Sequence, residues 1–174
     1  MSTYSAPSKL TIDPILTNSV QESVLNVMSL LTGITPTTAV LDQAIAIVDG
    51  ICGTIAFVGD ASLSIMVYCT RLSAVEVAEA LAGFEMDYDH PDMGDAIGEL
   101  ANIFAGDIVA RLDSHGVVVN MGLPSVFRGH DIEVLLSKNT TSLWCAFELP
   151  KSTFWVEIVA KASRLTRTIG TDHA

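Results

Sequence analysis

Between Asp92 and Asp113 the chain writes a helix whose two sides want opposite surroundings, and this segment constrains the fold more than any other. At about 100° of rotation per residue, Ile97, Leu100, Phe104, Ile108 and Leu112 gather on one side, while Asp95, Glu99, Asn102 and Gly106 fall within about 60° of one another on the other. The apolar side demands a core to dock on, so the stripe of two carboxylates and an amide must face out. Gly98, Ala101, Ala105 and Gly106 flank that stripe, which predicts a helix whose backbone another surface can approach closely. Polar residues on the wet face of an amphipathic helix ordinarily serve only solubility. The glycines argue for more, because each costs about 1 kcal/mol in a helix interior relative to alanine.

A length of 174 residues suits one domain, residues 1–174, with an ordered core expected over about 10–163. The apolar content of 49% raises the question of a membrane span. The greasiest region, Ala39 to Cys69, is interrupted by Asp42, Asp49 and Asp60, so no run approaches the ~20 apolar residues that spanning requires. The start, Met1 to Lys9, is Ser-rich and shows no secretory pattern, which predicts a cytoplasmic protein. A net charge of −11 disfavours nucleic acid and anionic membranes as partners, since both need basic clusters. Lys161, Arg164 and Arg167 form only a mild grouping, read as a solvated C-terminal end. Cys52, Cys69 and Cys145 are far apart and set in apolar runs, as reduced core residues are. Asn139-Thr-Thr reads as a turn.

Local signals order the chain. Asp13-Pro14 starts a helix and Gly33 stops it, with Leu16, Val20, Val24, Val27, Met28 and Leu31 at helical spacing between them. Short apolar runs follow at Ala39–Leu41, Ala44–Val48, Gly53–Val58 and Leu63–Tyr68, punctuated by Asp-Gly and Gly-Asp turns; three antiparallel strands joined by hairpins are the simplest arrangement. Ser73 caps a short helix ending near Gly83. The acidic linker Asp87–Asp92 then leads through Pro91, in the first turn, into the polar-striped helix. Strands resume at Val117–Asn120, Ser125–Arg128, Ile132–Ser137, Ser142–Leu149 and Thr153–Ala162. Helix, strands, helices, strands predicts an α+β domain, an antiparallel sheet covered by helices.

Several chemistries are excluded. From Asp87, the fifth position of an EF-hand loop would be Pro91 and the twelfth Gly98, neither a calcium ligand. His90, His115, His130 and His173 lack paired spacing with Cys or Glu for zinc. Gly122-Leu-Pro-Ser125 is not a nucleophile elbow, and no Gly-rich phosphate loop is present. What survives is Glu99 with Asn102. An amide can accept from and donate to one water, which suits it to hold an attacking water in line, and a carboxylate one turn away can grip a lysine. Neither is a complete catalytic apparatus; the remainder must come from a partner.

The run Ala96-Ile-Gly-Glu99-Leu-Ala-Asn102-Ile-Phe-Ala-Gly106, followed by Gly122-Leu-Pro124-Ser-Val-Phe-Arg-Gly129, closely resembles the CheX proteins of bacterial chemotaxis, in the larger group that includes CheC and FliY. Asp95, Glu99, Asn102 and Pro124 match that group's spaced motif, and the resemblance extends from the first helix to about Ala162. It implies the order α-βββ-α-α-βββ and a phosphatase acting on the aspartyl phosphate of a CheY-like response-regulator receiver, in chemotaxis or related two-component signalling. Glu99 would pair with the receiver's lysine and Asn102 would position the hydrolytic water. Asp95 would start the helix and help orient Glu99, with Gly98, Gly106 and Pro124 supporting. It also implies that the Mg²⁺ belongs to the receiver and the chain holds no cofactor of its own, and that two copies pair through their sheets. Relatives can carry a second site on the first helix; here Glu22 is followed by Leu25, with Asn26 out of register, so one site per chain is expected. A dimeric module that binds a phosphorylated receiver without hydrolysis is the alternative from another class.

Overall fold

The computed structural model describes residues 9–43, 45–132 and 134–169. In chain order it holds β1 (Lys9–Ile12), α1 (Pro14–Thr32), β2 (Thr37–Leu41), β3 (Ile47–Gly59), β4 (Leu63–Thr70), α2 (Arg71–Ala82), α3 (Met93–Ser114), β5 (Val119–Met121), β6 (Ser125–Ile132), β7 (Thr140–Glu148), β8 (Thr153–Lys161) and β9 (Thr166–Ile169). The predicted α+β class holds: a seven-stranded antiparallel sheet, ordered β2-β7-β8-β4-β3-β5 with β6 also on β3, is covered by helices. The Ser-rich start, Ala44, Glu133 and His173 lie outside the described residues.

α1 begins and ends where its local chemistry requires. The Asp13 carboxylate accepts the Ile15 N–H at 2.9 Å, Pro14 opens the first turn, and Gly33 closes the helix in the left-handed region at φ 70°. α2 starts earlier than expected. Thr70, not Ser73, is its cap; the Ser73 N–H donates to the Thr70 hydroxyl at 3.3 Å. Pro91 precedes the first turn of α3, and Asp92 occupies the cap position.

Strand pairing departs most from the expectation. The runs at 44–48 and 53–58 are not separate strands, because β3 passes straight through Asp49-Gly50, with Gly50 paired to Thr70 on one side and Gly129 on the other. An Asp-Gly pair turns the chain only when its flanks pair with each other; here each flank has a long partner already. β2 pairs with β7 rather than β3. The predicted strand at Ile132–Ser137 contributes only Ile132, to β6, and Val134–Ser137 run irregularly. Asn139 sits in a turn at φ 61°.

The C-terminal segment is not a solvated tail. β9 pairs with β1, Leu165 is buried in the core, and the Arg167 guanidinium donates to Asp13 at 2.6 Å. Arg164 bonds Asp60 at 3.3 Å. The basic residues seek these partners because acidic caps and turns face them, so the ordered chain runs past residue 163.

The main core lies between the sheet and the helices, from Leu16, Val20 and Val24 of α1 to Ile97, Phe104 and Ile108 of α3. Burying each such side chain is worth about 1.5–3 kcal/mol. A smaller cluster on the other face stacks Tyr68 on Trp144, centroids 4.9 Å apart, with Cys52. There Tyr68 donates to the buried Glu157 at 3.2 Å, and burial pushes the Glu157 carboxyl above its ordinary value. Cys52, Cys69 and Cys145 are free and buried; burial pushes the Cys69 and Cys145 thiols up to about 12, leaving them inert.

Asp13 caps α1 and holds Arg167 of β9, and its carboxyl is held below the ordinary range, first by the Ile15 N–H and further by Arg167, against the cost of burial. A lowered folded value lends stability that is complete above the unfolded carboxyl's value of about 4 and fades as pH falls through the lower folded one. Asp13→Ala is therefore expected to lower stability at pH 7 by about 1 kcal/mol. Thermal melts from neutral to strongly acid pH check this: the gap to wild type should close toward the acid end.

Candidate functional site

α3 carries the site, and the sheet fixes which of its sides is free. Ile97, Leu100, Phe104, Ile108 and Leu112 are all fully buried, as the periodicity required. The helix can sit this low because β3 presents Gly53 beneath it: a Cβ there would stand 3.2 Å from the Ala101 Cβ and 3.3 Å from the Ile97 carbonyl oxygen. α1 holds α3 from the side, the Ser23 hydroxyl donating to the Phe104 carbonyl at 3.1 Å.

This seating leaves Asp95, Glu99 and Gly106 exposed and Asn102 half-buried, all on the outer stripe. Asp95 occupies the first turn, where a carboxylate favours the positive end of the helix, and Arg111 the last. Among the described residues no ion pair or side-chain hydrogen bond engages Glu99 or Asn102, whereas the next carboxylate along, Asp107, is held by Arg111 at 2.6 Å. The free pair is thus chemically available.

The expected ring of small residues needs correction. Ala101 and Ala105 are fully buried, and the surface that approaches them belongs to the chain itself. Gly98 is buried too; a Cβ on it would meet Val126 of β6 at 3.2 Å. Only Gly94 and Gly106 keep open space beside the stripe.

Glu99 and Asn102 open into a groove of about 950 Å³ between α3 and the β5–β6 side of the sheet, whose other wall includes Leu123, Pro124, Phe127 and Arg128. Pro124 therefore comes together with Asp95, Gly98, Glu99 and Asn102, while Gly106 lies beyond the groove's lining. Arg128 is a structural member of this wall that sequence reasoning missed, although it stands within the quoted Gly122–Gly129 run. It donates to the Tyr88 carbonyl at 2.7 Å, reaches Asp89 at 3.3 Å and covers the Tyr88 ring at 4.4 Å; Arg71 covers the same ring at 4.1 Å. These contacts fasten the acidic linker to β6 and so fix where α3 begins. On α1, Glu22 is occupied by Arg111 at 2.6 Å and Asn26 stands out of register, so no second free carboxylate–amide pair forms there. Among the described residues no group of three His, Cys, Asp or Glu is placed to hold a metal ion, and no helix is long and apolar enough to cross a membrane.

Fold and site together are an antiparallel sheet covered by helices and, over an open groove, an acid and an amide that no side-chain hydrogen bond or ion pair engages among the described residues. The family model described as chemotaxis phosphatase CheX matches residues 51–148, and the chain belongs to that family. Solved structures share the fold. A CheX chemotaxis protein from Desulfovibrio desulfuricans is 23% identical, with 84% of this chain and 99% of that one covered at a TM-score of 0.71. A CheC-like superfamily protein from Shewanella is 19% identical, over 87% of this chain and all (100%) of that one, at 0.76. The CheX–CheY–BeF₃–Mg²⁺ complex from Borrelia burgdorferi is 21% identical, over 87% of this chain and 100% of that one, at 0.73. No curated protein matches the chain in sequence.

Two glycine substitutions separate packing from access. Gly53→Ala sets a methyl 3.2 Å from the Ala101 Cβ and 3.3 Å from the Ile97 carbonyl oxygen, so α3 must shift by a few tenths of an ångström, and should destabilise by about 1–3 kcal/mol. Gly106→Ala meets nothing within 4 Å and should stabilise by about 1 kcal/mol. Chemical denaturation of both variants checks the pair of opposite signs.

Proposed function

We propose that this chain accelerates hydrolysis of the aspartyl phosphate on a CheY-like receiver domain. One observation carries it: in a member of the CheX family, Glu99 and Asn102 stand one helical turn apart, unpaired among the described residues, and open into a groove. A CheX of the same fold has been crystallised with CheY, BeF₃ and Mg²⁺, which supports a receiver as the occupant.

In this reading Glu99 forms a charge-assisted pair with the receiver's lysine and registers the two proteins. Asn102 accepts from and donates to a water and holds it in line with phosphorus. The water oxygen bonds to phosphorus, the bond from phosphorus to the aspartyl carboxylate oxygen breaks, and phosphate departs with one of the water's protons, the other passing to solvent or to a phosphate oxygen, while the carboxylate is restored. Mg²⁺ on the receiver supplies charge neutralisation. Positioning alone suffices as this chain's contribution, because phosphoryl transfer depends mainly on geometry and electrostatics. The same reading includes a homodimer through the sheets; β6 is an outer strand with a largely exposed pattern, and Leu135 and Leu136 just beyond it are exposed.

The test mixes the protein with phosphorylated receivers and Mg²⁺ and times phosphate loss. Asn102→Ala is expected to abolish the acceleration, a loss on the order of 10²-fold or more, while receiver binding persists; Glu99→Ala should weaken both. Binding by wild type without acceleration would establish the non-catalytic module instead.

A further inference from the structure

β5 and β6 are not neighbours but successive parts of one strand laid along β3. Met121 pairs with Phe57 and Ser125 with Thr54, so residues 122–124 oppose only 55–56 of β3. Three residues facing two make a β-bulge. The Gly122 N–H donates to the Ala56 carbonyl at 2.8 Å, and Pro124, which has no N–H, costs the ladder nothing at such a position. The residue between them is Leu123. It is 92% exposed, more than any other large hydrophobic side chain among the described residues, and it lines the same groove as Glu99 and Asn102.

A lone exposed leucine is ordinary on a protein surface. This one differs in how it is held. Ladders anchor the backbone on both sides, a hydrogen bond fastens its predecessor and a proline ring its successor, so the backbone has little freedom left to lose on contact. An acyl-phosphate site is polar and gives an aliphatic side chain no chemical task. Leu123 and Asn102 line one groove, so an occupant that fills it meets both, and a second copy seated there would close the site.

We propose that the bulge presents Leu123 as a recognition residue for the receiver, packing on an apolar part of the rim around its phosphorylated aspartate. It contributes affinity and not chemistry. This rests on the hydrolysis proposed above, and a binding measurement keeps the two separable.

The experiment measures phosphate loss over a range of phospho-receiver concentrations for wild type, Leu123→Ser and Leu123→Met, with sedimentation of each variant. Binding to the receiver loaded with BeF₃ and Mg²⁺ is measured in parallel. Leu123→Ser should raise the half-saturating receiver concentration and the dissociation constant roughly tenfold with the maximal rate unchanged, and Leu123→Met should restore most of the loss. Unchanged half-saturation and unchanged binding would overturn the proposal, as would a lowered maximal rate alone. A shift in oligomeric state without a binding change would make a second copy the occupant and also overturn it. Wild type that binds without hydrolysing, with Leu123→Ser binding tenfold more weakly, would refute the phosphatase reading and leave the recognition role standing; wild type that does neither would refute both.

Discussion

The close seating of α3 on β3 at Gly53 is the contact on which the rest depends. With a Cβ there only 3.2 Å from Ala101, a side chain would lift the helix, and every residue on its outer stripe would move with it. Under the proposed function Asn102 orients a water, and there a sub-ångström displacement matters, because effective molarity falls steeply with misalignment. The hydrophobic side of α3 is therefore part of the site's geometry. Phe104 and Ile108 are fully buried, yet they help determine where Glu99 and Asn102 stand.

Around that contact the chain arranges supports of different kinds. Arg128 and Arg71 clamp Tyr88 and Asp89, which sets the start of α3; Ser23 bonds its middle. The opposite wall is set by the bulge at 122–124. Pro124, distant in sequence from the helix, thus belongs to the site through backbone architecture rather than side-chain chemistry.

What could be read from the sequence follows from how local each signal is. The bounds of α1 were legible because Asp13, Pro14 and Gly33 act within their own turns, and the division of α3 into buried and exposed sides was legible because it is a periodicity. The motif also named Glu99 and Asn102 as a pair. Pairings between distant segments were not legible: β2 finds β7 about a hundred residues on, and nothing in Thr37–Leu41 says so. Asp49-Gly50 resembled a turn because the local code does not show that β4 and β6 flank it. Ala101 and Ala105 looked like room for a visitor, since smallness alone does not tell which surface uses the space. Leu123 carried no signal, because a bulge exists only relative to the strand opposite.

The pairing of β1 with β9 brings Lys9 directly opposite Ile169, so the first and last described strands lie side by side. Cross-strand neighbours lie about 5 Å apart, so the chain enters and leaves this strand pair at one place. Such proximity suits circular permutation or insertion into a host loop: new ends could be opened in a surface connection far from α3, with the helix still seated on β3 and held by α1. The fold could thus be carried as a cassette within a larger chain without disturbing its groove.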